Sequence, residues 1–132
     1  STQLQLIKQG AQTTTPAYMP LTGWMIERNV SQGMQVDAEA GVITISEVAD
    51  YVVDAMAIVD AANGIALQVQ KYSGGIWSDL SGAVAMNPQQ ASVTGFICFL
   101  SPSEQLRVTV KQLSAPANIN TGMARIQVGR RS

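Results

Sequence analysis

The stretch Leu106-Arg-Val-Thr-Val-Lys-Gln-Leu113 decides the fold, because its apolar and polar side chains alternate. Successive side chains of a β-strand point to opposite faces of the sheet. Leu106, Val108 and Val110 therefore fall on one face, and the polar residues between them fall on the other. Residues 124–128 repeat this alternation. Both stretches predict strands that have one face on a core and the other face exposed.

Similar runs recur along the chain. They are rich in β-branched residues and are separated by turn residues at intervals of roughly ten. The predicted strands are residues 23–28, 34–36, 42–46, 51–59, 65–72, 92–100, 106–113 and 123–128, with short strands or loops at 76–77 and 83–86. The sequence therefore predicts an all-β chain of about eight antiparallel strands.

Local signals refine this prediction. Acidic residues spaced about one helical turn apart make an amphipathic helix the alternative for residues 48–59, but the β-branched and aromatic residues there favour a strand. Asn63-Gly64 predicts a hairpin turn, because both residues tolerate positive φ. Ser73-Gly-Gly75 predicts another turn.

One predicted strand is apolar on both faces. Residues 96–100 read Phe-Ile-Cys-Phe-Leu. Such a pattern suits a strand that is covered by the core on one side and by another subunit on the other. Cys98 lies in this run, has no second Cys to pair with, and is interpreted as a small buried apolar residue.

The N-terminus differs from the rest of the chain. Residues 1–10 alternate over a few positions, so a short strand is possible there, and Thr and Pro then favour an extended backbone. We expect residues 1–22 to be an extended arm and residues 23–132 to be the folded domain. The arm either lies across its own domain or reaches a neighbour, and a disordered tail is the alternative.

The composition argues against several functional classes. The 132-residue chain has no His and a net charge of −1, which disfavours imidazole-based catalysis and nucleic-acid binding. Residues 1–66 carry a net charge of −5 and residues 67–132 carry +4. The oppositely charged surfaces that these halves form either dock against each other between copies or are ordinary solvated faces.

The sequence also bears on the compartment. No secretory signal opens the chain, and the uncharged window 80–103 is too polar for a membrane span, so a cytoplasmic product is expected.

Candidate chemistry is sparse. Asp37 with Glu39, and Asp50 with Asp54, are the nearest carboxylate pairs, but nothing indicates the cleft that a glycosidase needs. No nucleophile motif or phosphate-binding loop is present. We therefore expect a non-enzymatic protein without cofactor or metal, and a Ca²⁺ site in the turn at Asp37 and Glu39 is the open alternative.

The order and spacing of the strands resemble the jelly roll of tumour necrosis factor and of the globular head of complement first component. The resemblance covers about residues 23–128. The matching segments are residues 27–29, 37–45, 50–53, 65–69, 93–100, 103–110 and 122–126. The resemblance implies a jelly-roll β-sandwich with an extended N-terminal arm, and a homotrimer.

A small, cytoplasmically made jelly roll with an N-terminal arm also resembles virion proteins of tailed bacteriophages. This resemblance implies a capsid cement or decoration protein on the virion surface, synthesised in the host cytoplasm, whose partners are its own copies and the major capsid protein lattice. The alternative is a head- or tail-fibre tip that binds a host receptor or glycan through residues 73–81 and 87–90. A subunit of another assembly is a third interpretation.

These hypotheses name candidate contact residues. The resemblance implies that large apolar side chains line the axis of the trimer, and the predicted subunit-interface residues are Tyr51, Phe96 and Phe99. Trp24 and Trp77 are further interface candidates, because Trp is enriched among binding hot spots. The predicted capsid contacts are Leu4, Leu6, Ile7, Tyr18, Met19, Arg130 and Arg131.

Overall fold

The computed structural model describes residues 3–84 and 89–131, and within them the regular structure is entirely β. The strands are β1 (Leu4–Lys8), β2 (Gln12–Thr13), β3 (Met19–Pro20), β4 (Trp24–Asn29), β5 (Met34–Asp37), β6 (Val42–Ile45), β7 (Ala49–Ile58), β8 (Ile65–Ser73), β9 (Ile76–Val84), β10 (Gln90–Leu100), β11 (Gln105–Gln112), β12 (Asn118–Ile119) and β13 (Ala124–Arg130). The all-β prediction is confirmed, and residues 48–59 form a strand rather than a helix.

Two antiparallel sheets form a sandwich. One has five strands in the order β10-β7-β13-β1-β4. The other has six strands: five lie in the order β5-β6-β11-β8-β9, and the short strand β3 also pairs with β11. Strands that neighbour each other in a sheet are mostly distant in sequence. A small third sheet joins β2 to β12. This pairing joins the segment that follows β1 to the segment that precedes β13.

The core lies between the two sheets, and the strand alternation supplies it. In β11 the inward residues Leu106, Val108 and Val110 are buried, as the alternating sequence predicted. In β7 the buried residues Val53 and Ala55 alternate with half-buried ones. Apolar burial of this kind contributes about 25 cal/mol for each Å² removed from water, so one inward face per strand holds the layers together.

Part of the predicted arm lies within the sandwich. Leu4–Lys8 forms a strand of the sheet, since β1 pairs with β13 on one side and with β4 on the other. Leu4 and Leu6 are fully buried in the core. The alternation in residues 1–10 therefore marks a strand on the chain's own domain, which was one of the alternatives for this segment, and the division at residue 22 stays a prediction.

The structure also corrects the predicted hairpin at Asn63-Gly64. Gly64 does have a positive φ of 75°. However, β7 and β8 belong to different sheets, so this turn carries the chain across the sandwich instead of joining paired strands. The turn at Ser73-Gly-Gly75, by contrast, connects β8 and β9, which pair directly. Residues 85–88, which include part of the predicted strand 83–86 and of the loop 87–90, lie outside the described residues.

Candidate functional site

The five-stranded sheet presents its second face to solvent, and this face is built by the residues that alternate with the core positions. On β7 these are Val52, Asp54 and Met56, which are half-buried. On β10 they include Ile97 and Phe99. β10 is the terminal strand of this sheet, so one of its backbone edges has no strand partner among residues 3–84 and 89–131.

An apolar cluster lies at one end of this face. Ile97 pairs directly with Val52, and Phe99 follows on the same side of β10. Phe99 is 62% exposed and Ile97 is 45% exposed. We call Val52, Ile97 and Phe99 the β10 patch. Large side chains exposed together at a sheet edge are typical of a surface that is covered by another protein.

The three predicted subunit-interface residues do not share one environment. Tyr51 is fully buried in the core, because it lies on the same inward face of β7 as Val53. Its hydroxyl donates to the carbonyl oxygen of Glu47, and burial raises its pKa. Phe96 is partly buried against the core, so of the three only Phe99 points freely to solvent.

The predicted capsid contacts divide in the same way. Leu4 and Leu6 have no exposed surface, which corrects their assignment as contact residues, because they cannot reach another protein while β1 is in place. Ile7 faces away from the core and is half-buried, between Arg125 on β13 and Met25 on β4.

Tyr18 and Met19 lie beside the other sheet. Tyr18 is 38% exposed, and the Nζ of Lys111 lies 5.1 Å from the centre of its ring. Met19 is half-buried in β3 and pairs with Val110. These two residues are accessible to a partner at the margin of the six-stranded sheet.

Arg130 and Arg131 lie at the end of β13, in the five-stranded sheet. Nη1 of Arg130 lies 3.4 Å from Oε2 of Glu47. Arg131 is exposed, and its backbone N–H donates to the carbonyl oxygen of Asp50. The structure therefore places the basic pair and the Tyr18–Met19 segment on different sheets.

The two Trp residues have different roles. Trp24 is buried, and its Nε1 donates to the carbonyl oxygen of Leu21 at 2.9 Å. Trp77 is half-buried near the β8–β9 turn, with the guanidinium carbon of Arg107 4.0 Å from its ring centre and the ring of Tyr72 5.2 Å away. Trp77 is therefore at the surface, whereas Trp24 stabilises the core.

Asp37 stabilises a turn, and Cys98 is a buried thiol. Oδ1 of Asp37 accepts from the backbone N–H of Ala40 and so stabilises the turn before β6. Across residues 3–84 and 89–131, no three His, Cys, Asp or Glu side chains come close enough to hold a metal ion. Burial raises the pKa of the Cys98 thiol to about 11, so it is protonated at neutral pH.

A feature of the exposed face was missed by the sequence analysis. Thr94 and Gly95 on β10 together oppose the single residue Asp54 on β7, which is a β-bulge. Gly95 has a φ of 64°, in the left-handed region that favours glycine. A Gly inside a strand pattern was the available signal for a bulge. Beside the bulge the face contains a shallow cavity of about 310 Å³ that is open to solvent.

The comparisons with known proteins concern the fold. No family model matches the chain, and no curated protein matches its sequence. The crystal structure of murine APRIL at pH 8.5 superposes with a TM-score of 0.70 and 13% identity, over 96% of this chain and 97% of that one. The structure of Eiger TNF from S. frugiperda gives a TM-score of 0.66 and 10% identity, over 99% of this chain and 93% of that one.

These likenesses define the class of fold. The chain is an all-β jelly-roll sandwich of the tumour necrosis factor type, as the resemblance in its strand order implied. At 10–13% identity they carry no function from those proteins to this one. Within the part of the chain that the structure describes, no helix has the length and hydrophobicity to cross a bilayer.

Proposed function

We propose that this chain is a non-enzymatic structural protein that assembles as a homotrimer and binds and stabilises a bacteriophage capsid. The observation that carries the self-association is the β10 patch, where Phe99 is 62% exposed on the terminal strand of the described sheet. The likeness to tumour-necrosis-factor-type jelly rolls supports the trimer. The capsid binding rests on the small size of the domain and on its resemblance to virion proteins of tailed bacteriophages.

The patch suits a ring of copies. Phe99 is 62% exposed and Ile97 is 45% exposed, so covering the rest of either side chain contributes about 1–2 kcal/mol, and the trimer has three equivalent sites. A patch confined to one edge of the sandwich favours contact with a different surface of the next copy. Such head-to-tail contacts close into a ring when the rotation between copies is correct.

The capsid contacts that we propose are made by those of the predicted residues that are accessible to solvent. Tyr18 and Arg131 are exposed, whereas Leu4 and Leu6 belong to the core. Each contact is weak on its own, but a trimer repeats it three times, and linked contacts raise the effective affinity.

The test of self-association is Phe99→Asp, with Leu113→Asp as the control. Leu113 is 47% exposed and lies just beyond β11, on the other sheet. By light scattering, the wild type and the control are expected at three times the chain mass of 14.0 kDa, and Phe99→Asp at one. A wild type that stays at the single mass at high concentration refutes the trimer.

The test of capsid binding mixes the wild-type trimer with candidate phage capsids that lack decoration. Sedimentation and imaging should show bound trimers and particles that resist heat better. Tyr18→Ala with Arg131→Ala is expected to weaken binding while the trimer persists. Particles that gain neither mass nor stability would exclude the capsid function and leave the trimer result standing.

A fibre tip is the second candidate function. The β8–β9 turn exposes Ile76 by 69% and presents Trp77 beside Arg107 and Tyr72, a combination typical of binding surfaces. A glycan array and a cell-binding assay separate this candidate from the first, because a cement protein should bind capsids and no host surface.

A further inference from the structure

The cavity beside the β-bulge is a built feature of the exposed face. The backbone N–H of Gly95 donates to Oδ1 of Asp54 at 2.8 Å, so the bulged backbone and the strand opposite hold each other in place. The cavity of about 310 Å³ is within the size range of small-molecule sites. Its polar and flexible lining comes from Asp54, Met56, Ser92, Thr94, Arg125 and Gln127.

Arg125 is the cation among the residues that line this cavity. Its Nε has no hydrogen bond within the described residues, but it has no surface that a water molecule could reach, so a ligand would meet the guanidinium at its Nη atoms. In the same part of the chain the guanidinium makes no ion pair, although Asp54 lines the same cavity. A carboxylate matches the fork of the two Nη groups better than any neutral acceptor.

The remaining groups favour a ligand that also carries hydroxyls. Oδ1 of Asp54 is engaged by Gly95, and no bond to its Oδ2 occurs in the described residues. Gln127 donates from Nε2 to Oε1 of Gln5, and its own Oε1 accepts no hydrogen bond within the described residues. Thr94 adds a hydroxyl, which can donate or accept. A lone carboxylate side chain brings no hydroxyl to donate to Asp54 or Gln127, whereas a ligand with a carboxylate and several hydroxyls can bind all of these groups.

We propose that this cavity binds a carboxylate-bearing monosaccharide, with the carboxylate on Arg125 and the ring hydroxyls on Asp54, Thr94 and Gln127. Met56 provides the apolar surface for the carbon face of the ring. This site goes beyond the proposed function, because it needs neither a capsid nor a trimer.

The site and the β10 patch adjoin on one face. Phe99 lies seven residues along β10 from Ser92 of the cavity, which is about 20 Å at 3.3 Å per residue. Val52 of the patch lies two residues from Asp54 of the cavity on β7, about 7 Å away. A partner centred on Phe99 can leave the Ser92 end of the cavity open, whereas a partner that covers Val52 borders the cavity.

The test is a titration of the isolated full chain with glucuronate, followed by two-dimensional NMR of the backbone amides. The amide of Gly95 reports on the site directly, since its hydrogen bond to Asp54 forms one wall. Glucose, which lacks the carboxylate, and acetate, which lacks the hydroxyls, are the matched control ligands. Saturable shifts are expected with glucuronate, and at least about tenfold weaker binding with either control.

Two variants examine the assigned roles. Arg125→Gln should weaken glucuronate binding at least about tenfold, and Thr94→Val should weaken it about threefold to tenfold, with the rest of the spectrum unchanged. No shift with glucuronate, or equal affinity for glucose or for acetate, overturns the proposal. It is also overturned if glucuronate has no effect and Arg125→Gln abolishes self-association, since a neighbouring copy then fills the cavity.

Discussion

Replacing Leu6 by Ala tests whether the N-terminal segment is part of the core. Leu6 is fully buried on β1, between Ile126 of β13 and Ile26 of β4. Truncating a fully buried Leu typically costs about 3–5 kcal/mol, through lost burial and the cavity left behind. A domain of this size has a total stability of about 5–15 kcal/mol, so the loss is a large fraction of it.

The matched control is Ile7→Ala, one position along the same strand. Ile7 points to the opposite face and is half-buried, so its truncation should cost about 1 kcal/mol. With a urea slope of about 2 kcal/mol per molar, Leu6→Ala shifts the unfolding midpoint down by about 1.5–2.5 M and Ile7→Ala by about 0.5 M. Fluorescence of the two Trp residues follows the transition, and Trp24 pairs with Lys8 across β1 and β4, next to the substituted positions.

A complete deletion extends the same reasoning. Removing residues 1–8 takes away the strand between β13 and β4, and the shortened chain should lose its dispersed NMR spectrum. The reasoning is refuted if this deletion unfolds cooperatively at the wild-type urea concentration. It is equally refuted if Leu6→Ala and Ile7→Ala shift the midpoint by the same amount.

Two further predictions concern the turns. Gly41 has a φ of 74°, and a Cβ there would clash with the carbonyl oxygen of Leu21, so Gly41→Ala should lower the thermal midpoint by several degrees. Gly122 is also at positive φ but has open space around it, so Gly122→Ala should lower the midpoint less. Equal losses would contradict the steric reason. The N–H of Ser101 donates to Oε1 of Glu104 and holds the pKa of that carboxyl below its usual range, with Lys71 adding to the effect. A depressed folded-state pKa stabilises the fold above the unfolded pKa, and this stabilisation is lost as pH falls through the folded value. The thermal midpoints of wild type and Glu104→Gln should therefore differ at pH 7 and converge toward pH 3, and a difference that persists unchanged in acid would rule the linkage out.

The exposed face shows how far the sequence could predict a site. The run at 96–100, apolar on both faces, predicted a strand with its second face available for a subunit, and Ile97 and Phe99 are exposed there. The predicted covering subunit stays a prediction. Tyr51 was expected at the same interface, but a buried and a subunit-covered aromatic residue give the same local pattern, and only the direction of its side chain separates them.

What the sequence determined by itself was the face of each side chain within its strand. The alternation in residues 106–113 and 124–128 places apolar residues inward without reference to the rest of the chain, because a strand has a period of two. β-Branched residues likewise favoured strand over helix at β7.

Only the tertiary structure decided which strands are neighbours. Asp54 and Arg125 line one cavity because β7 pairs with β13 and β10 in particular registers, and such pairings join segments far apart in sequence. Local patterns carry no information about partner or register across such distances. For the same reason β1 reads as a possible arm when it is considered alone, yet two neighbouring strands and a shared core make it the inner strand of a sheet.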